Sequence, residues 1–200
     1  NLKLYGLYKN KKKLNIINSK LRKKIKFYKL NLTNFTKLKK VINTIKPDLV
    51  YHLASNADVR KSFDQPKYII DNNYKITINL LEAIKHSKIK PLIIMCSTSE
   101  VYGIVSQKDI PIKENQKFNP ASPYALSKIY QDLLCQLYYK IYKQNIIITR
   151  MFSYINPKRT NLFQTSFADQ IAKLEKKKLK NKYLYHGNLK SIRTFIDIND

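Results

Sequence analysis

Tyr124 and Lys128 stand four residues apart, downstream of the segment Thr98-Ser99-Glu100. On a helix that spacing puts both side chains on one face. An ammonium beside a phenol favours the phenolate and draws the tyrosine pKa down from its usual value of about 10. A phenol tuned in this way can take a proton from a sugar hydroxyl or return one to it. The hydroxyl of Thr98 can hold the same substrate oxygen, and the Glu100 carboxylate can work on a second proton. These are the parts needed to take a hydride from a sugar alcohol.

The tyrosine–lysine spacing alone carries little weight in a chain with 15 tyrosines. It recurs at Tyr5/Lys9, Tyr8/Lys12, Tyr139/Lys143 and Tyr154/Lys158, where it reads as solvated faces. Tyr124 differs in its setting. Pro120, Ser122 and Pro123 mark a loop and a helix start just before it. The run Pro91-Leu92-Ile93-Ile94-Met95-Cys96 reads as a buried strand delivering Thr98 to a strand's C-terminal end. In open α/β sheets that end is where ligands bind.

Further strands are expected at 4–8, 26–28, 48–53, 145–150 and 183–185. Helices are expected over 35–45, where Pro47 ends the pattern, and over 68–84, 124–142 and 165–178. Strands alternating with helices predict an α/β fold with a doubly wound parallel sheet. Residues 1–152 form a dinucleotide-binding domain in this reading, and 153–200 the start of a substrate-binding region. No apolar stretch is long enough to span a bilayer, and no signal-peptide core opens the chain. The two cysteines, Cys96 and Cys135, suggest neither a disulfide framework nor a metal cluster, so the reducing cytoplasm is expected.

The formal charge of +26 has two readings. One is a nucleic-acid or anionic-surface binder. The other, favoured here, is a compositional drift toward Lys, Asn and Ile. The lysines are scattered through every segment, and arginines, the better readers of phosphates and bases, are few.

Two absences bear on cofactor binding. The chain has three glycines, Gly6, Gly103 and Gly187, so a Gly-x-x-Gly-x-x-Gly loop cannot occur in it. A dinucleotide fold uses that loop to bring backbone against the pyrophosphate. The sequence therefore reads as a fragment lacking the first βα unit and part of the C-terminal region. No acidic residue precedes Asp48, and Lys9 follows the first strand where a carboxylate would grip an NAD ribose. A positive charge there suits the 2′-phosphate of NADP; surface drift accounts for it equally well.

Several segments, in order, give the chain a family resemblance. They are Pro47-Asp48-Leu49-Val50-Tyr51-His52-Leu53-Ala54, Asn79-Leu80-Leu81-Glu82-Ala83, and Ser97-Thr98-Ser99-Glu100-Val101-Tyr102-Gly103. Then come Ser122-Pro123-Tyr124-Ala125-Leu126-Ser127-Lys128 and Gly187-Asn188-Leu189 with Arg193. The chain resembles the extended short-chain dehydrogenase/reductases acting on nucleotide sugars. The nearest branches are GDP-mannose 4,6-dehydratase and GDP-4-keto-6-deoxymannose reductase. The resemblance implies an NAD(P)-binding Rossmann fold, a GDP-sugar substrate and a homo-oligomer, dimer or tetramer. It implies NADP as cofactor, with NAD as the alternative. A membrane or nucleic-acid partner is not expected.

It also implies roles. Thr98, Tyr124 and Lys128 match the catalytic triad, and Glu100 the acid/base of a dehydratase. Lys9, Leu53, Ala54, Ser55, Asn73 and Arg159 match cofactor-binding positions, together with Tyr124 and Lys128. Ser99, Ser153, Asn188 and Arg193 match substrate-binding positions. The implied reaction oxidises C4 of GDP-mannose, removes the C5 proton, expels water from C6 and returns the hydride there. Departures are present as well. The family's Arg-x-Phe-Asn-His is Arg150-Met151-Phe152-Ser153-Tyr154 here, and a helix glycine is Ile76. The segment Phe167-Ala168-Asp169-Gln170-Ile171-Ala172 and Arg193-Thr194-Phe195-Ile196-Asp197 look more like the reductase branch. A reductase, an epimerase and a noncatalytic nucleotide-binding or nucleic-acid-binding domain remain the alternative readings.

Overall fold

A computed structural model of the chain describes residues 2–156, 162–176, 183–190, 192 and 194–199. They fall into two compact units, Asn1–Met151 and Phe152–Asp200. In the first unit β1 (Leu4–Tyr8) pairs in parallel with β2 (Ile25–Lys29). A parallel three-stranded sheet follows, in the order β3 (Leu49–His52), β4 (Leu92–Cys96), β5 (Asn145–Thr149). Its register pairs His52 with Met95, and Met95 with Ile148. The connecting helices are α1 (Ser19–Lys23), α2 (Phe35–Ile45), α3 (Val59–Asp64), α4 (Pro66–His86) and α5 (Pro123–Tyr142). All strand pairs being parallel, with helical crossovers, is the arrangement the alternating pattern called for.

Local chemistry accounts for the boundaries. The Asn34 side chain accepts from the Lys37 amide at 3.0 Å and starts α2, and Lys46 closes it in the left-handed region at φ 46°. Ser122 starts α5 by accepting from the Ala125 amide at 3.0 Å, with Pro123 in the first turn. The apolar faces of α2, α4 and α5 meet the sheet through Leu38, Ile42, Leu80, Leu81, Ile84, Ile93, Met95 and Cys135. Each fully buried aliphatic side chain there contributes roughly 1.5–3 kcal/mol. Asn79 ties the two sheets' connections together, donating from Nδ2 to the Leu32 carbonyl at 2.9 Å.

The second unit, taken by itself, contains β6 (Ser153–Ile155), α6 (Phe163–Glu175) and β7 (Phe195–Asp197). β6 and β7 pair in parallel, and Phe163 packs on the rings of Phe167 and Phe195. The strand expected at 183–185 is not one. The Gln170 side chain holds that segment instead, accepting from the Tyr185 amide at 2.7 Å and donating to its carbonyl at 3.1 Å. A side-chain amide has satisfied the backbone groups that a strand ladder would have used.

Candidate active site

The candidate site lies at the C-terminal ends of β3, β4 and β5. Beyond Cys96 the chain leaves β4 and turns at Thr98, whose hydroxyl accepts from the Glu100 amide at 3.3 Å. That contact caps a short 3-10 turn, Ser99–Tyr102, which carries Glu100. The Ser99 amide donates to the Met151 carbonyl at 2.9 Å, so the turn is also fastened to the chain leaving β5. Val101 and Tyr102 of the turn pack against Ile129 of α5, the residue after Lys128. The sheet end and the first turns of α5 thus share one packed cluster.

Tyr124 sits in the first turn of α5 and is 7% exposed, and Lys128 one turn later is 4% exposed. The Lys128 ammonium donates to the Cys96 carbonyl at 2.7 Å and to Gln131 Oε1 at 2.8 Å. It therefore reaches the last residue of β4, two positions before Thr98. An ammonium has three N–H donors, and these contacts occupy two of them. Burial pushes the Lys128 pKa down to about 8, against a small upward pull from the Cys96 and Cys135 thiols. Burial, followed by the adjacent Asp132 charge, pushes the Cys135 thiol up to about 12, so Cys135 is not a nucleophile near neutral pH.

His52 ends β3 at 4% exposure. Burial, helped by the Lys128 charge, pushes its pKa down to about 3, so the ring is neutral. Four buried polar atoms at these strand ends have no hydrogen-bond partner: His52 Nε2, Ser55 Oγ, Ser97 Oγ and Thr149 Oγ1. Native interiors rarely leave such atoms unmatched, because each one costs desolvation. Gln144 Oε1, just before β5 at the opposite end of the sheet, is unmatched as well, but four such atoms at one end fit a polar ligand laid across it.

Of the other residues expected at the site, Lys9 is exposed immediately after β1. Leu53 and Ala54 are exposed directly after β3, Leu53 at 71%. Asn73 is buried on α4 with its amide fully engaged: Oδ1 accepts from the Asn56 amide at 2.8 Å, and Nδ2 donates to the Asn56 carbonyl at 3.1 Å and to Ser127 Oγ at 2.9 Å. It fastens the chain beyond Ser55 to α5. In the second unit Ser153 lies in β6, and the Asn188 side chain accepts from the Lys190 amide at 2.9 Å. Arg159 and Arg193 lie outside the described residues.

Sequence reasoning did not single out His52, Gln131 or the ion pair of Arg150 with Asp132. His52 stood inside the quoted Pro47–Ala54 segment. Asp132 stood four residues beyond Lys128, on the face that carries Tyr124. Among the described residues no group of three or more His, Cys, Asp or Glu side chains could hold a metal ion. No helix among them is long and apolar enough to cross a membrane.

The sequence model described as GDP-mannose 4,6 dehydratase matches residues 3–200. A UDP-glucuronate 4-epimerase of Thermodesulfobacterium geofontis is 38% identical, over 66% of this chain and 40% of that protein. GDP-mannose 4,6 dehydratase 2 of Caenorhabditis elegans is 33% identical, over 82% of this chain and 42% of that protein. The chain thus spans less than half the length of either. Among solved structures, RMD from Pseudomonas aeruginosa complexed with NADPH superposes with a TM-score of 0.81 at 24% identity. That match covers 99% of this chain and 70% of that one. It gives the same fold.

Proposed function

The chain belongs to the GDP-mannose 4,6 dehydratase family, and from that membership we propose that its protein is a nucleotide-sugar 4,6-dehydratase acting on GDP-mannose. The observation that carries the reading is Glu100. Its carboxylate stands on the turn that the Thr98 hydroxyl caps, and that turn packs on α5 beside Lys128. Oxidation of an alcohol needs only Tyr124 and Lys128; expelling water needs one more acid/base.

NADP, with NAD as the alternative, is the proposed cofactor, and the orphaned polar atoms at the ends of β3, β4 and β5 support a ligand there. Bound at that end, it supplies the hydride acceptor at C4 and, after water has left, the hydride donor at C6. Lys128, Tyr124, Ser55 and the backbone at Leu53 and Ala54 would hold it. Lys9 and Arg159 would meet its more distant charges, and Asn73 would act by fixing the chain beyond Ser55.

Thr98 holds the C4 oxygen, and Tyr124 takes the C4 hydroxyl proton. The resulting 4-ketone acidifies the C5 hydrogen, and Glu100 removes it as a proton. Glu100 then hands that proton to the C6 hydroxyl, which departs as water. Tyr124 returns its own proton to C5, leaving GDP-4-keto-6-deoxymannose and both side chains in their starting states. Ser99, Ser153, Asn188 and Arg193 are the proposed sugar- and nucleotide-binding residues.

A homo-oligomer is proposed as well. Leu126, Tyr130, Leu133 and Leu137 form an exposed apolar stripe along α5, each 45–52% exposed. Beside it a pocket of about 220 Å³ is lined by Ile70, Asp71, Tyr74, Ser127 and Tyr130.

The alternative reading, a GDP-4-keto-6-deoxymannose reductase, is favoured by the segment 167–172. Cofactor stoichiometry separates the two. A dehydratase turns over GDP-mannose with a trace of NADP and no net change in nicotinamide absorbance. Steady NADPH consumption with the 4-keto sugar, and none of the former, would replace the dehydratase reading by the reductase.

A further inference from the structure

Arg150 sits between the two halves of the candidate machinery and is itself outside it. It leaves β5 and forks onto Asp132, with Nε to Oδ2 at 2.8 Å and NH2 to Oδ1 at 3.2 Å. Asp132 is 0% exposed and lies one turn beyond Lys128 on α5, whereas the Arg150 side chain is 17% exposed. The third guanidinium nitrogen, NH1, donates to the Tyr102 hydroxyl at 2.9 Å and to the Glu114 carbonyl at 2.6 Å. The guanidinium also lies over the rings of Tyr102 and Phe118, at 5.4 and 4.9 Å from their centroids. One planar cation therefore joins α5, the Glu100 turn and the loop beyond that turn.

The loop closes back on the same turn. The Asn119 amide donates to the Val101 carbonyl at 3.0 Å. Gly103, at φ +62°, lies so close to the Asn119 carbonyl that a Cβ there would stand 1.6 Å from its oxygen. The hydrogen bond to Asp132 raises the Arg150 pKa above its already high ordinary value, so the clamp stays charged at any working pH. A bidentate, planar contact of this kind fixes orientation as well as distance.

We propose that Arg150 is a positioning residue that sets the Glu100 carboxylate against the Tyr124–Lys128 helix. It acts selectively on the proton transfers assigned to Glu100 and leaves C4 oxidation largely alone. The asymmetry follows from the connections. Tyr124 and Lys128 are held by Ser122, the Cys96 carbonyl and Gln131, none of which needs Arg150. Glu100 rides on a turn whose apolar contact with α5 is Val101 and Tyr102 against Ile129, and whose polar link to α5 runs through the Tyr102 hydroxyl and the Arg150 fork. The proposal rests on the acid/base reading of Glu100 given above.

The test uses the full-length protein with Arg150→Lys, Arg150→Met and Tyr102→Phe. The last keeps the buried ion pair intact, and so guards against a variant that does not fold. Two readouts are taken: GDP-mannose turnover with the nicotinamide absorbance transient, and amide hydrogen exchange over residues 99–119 without ligand. Arg150→Met is expected to slow water loss about 100-fold at nearly unchanged KM, the scale of a misplaced catalytic group. Reduced nicotinamide should then accumulate, because oxidation outruns elimination. Arg150→Lys and Tyr102→Phe should each retain about a tenth of the rate. Exchange over 99–119 should quicken in all three.

Equal loss of oxidation and elimination, or unchanged exchange in Tyr102→Phe and Arg150→Lys, would overturn the proposal. A wild-type protein that never expels water would instead count against the reading of Glu100. In that case the exchange data still decide whether Arg150 clamps the turn.

Discussion

The two parallel sheets of the first unit end in opposite surroundings. At the C-terminal end of β1 and β2 the chain offers Lys9 to solvent, and neither strand contributes a buried residue. At the C-terminal end of β3, β4 and β5 stand a buried histidine, a buried ammonium and four unpartnered polar atoms. The contrast follows from what each end is proposed to do. Holding a phosphate needs accessible charge, which works through water. Moving protons needs groups held in fixed geometry where the dielectric is low and each dipole counts for more. Stability is given up at the second end to keep those groups unmatched, as functional sites generally require.

Perturbing each end should therefore give effects of very different size. Tyr124→Phe removes the proton carrier and should cut turnover by about 1,000-fold, with nucleotide binding by calorimetry nearly unchanged. A residual rate within tenfold of wild type would assign the proton transfer to another group. The next effect is on pH. Lys128 carries its charge below a pKa of about 8, so activity that needs the ammonium should decline as pH rises through about 8. Lys128→Arg, whose charge persists, should move that decline upward if the variant folds.

Stability shows the same buried end with its own sign. The His52 pKa is pushed down to about 3 in the folded protein, from an ordinary value of 6.5. Between those values the unfolded chain binds the extra proton, so folded stability falls as pH drops from about 6.5 toward 3. A melting temperature flat across that window would place His52 in water. His52→Gln should flatten the slope without abolishing folding.

Much of the sheet's organisation was legible because it is local. Pro47 ends α2, Ser122 and Pro123 open α5, and the unbroken apolar run 91–96 reads directly as a buried strand. Thr98, Tyr124 and Lys128 were singled out as candidates through spacing plus those flanking signals. What could not be read depends on partners distant in sequence. Arg150 meets Tyr102 across 48 positions, and Lys128 reaches the Cys96 carbonyl across 32. No spacing rule encodes either contact. Helix α1 was missed because none of its residues is buried, leaving no apolar period to detect; only the Asn18 cap marked it. The strand expected at 183–185 failed because Gln170 answers its backbone.

The smallest effects belong to single contacts with a bound nucleotide. Ser97→Ala removes an unmatched hydroxyl, so the ligand-free protein should be as stable or slightly more stable, while cofactor affinity drops by about tenfold. Loss of stability with unchanged affinity would make Ser97 structural. At the exposed end, Lys9→Ala should shift preference from NADP toward NAD by about tenfold or less, consistent with a single solvent-screened charge. An effect as large as that of Tyr124→Phe would erase the contrast between the two ends.

The most direct test of the central claim is mass spectrometry of GDP-mannose incubated with NADP by the full-length protein and by its Glu100→Gln variant. The expected result is a product lighter by one water with the wild-type protein and essentially none with the variant. Unchanged GDP-mannose with the wild-type protein, or undiminished water loss with Glu100→Gln, would contradict the proposed dehydratase.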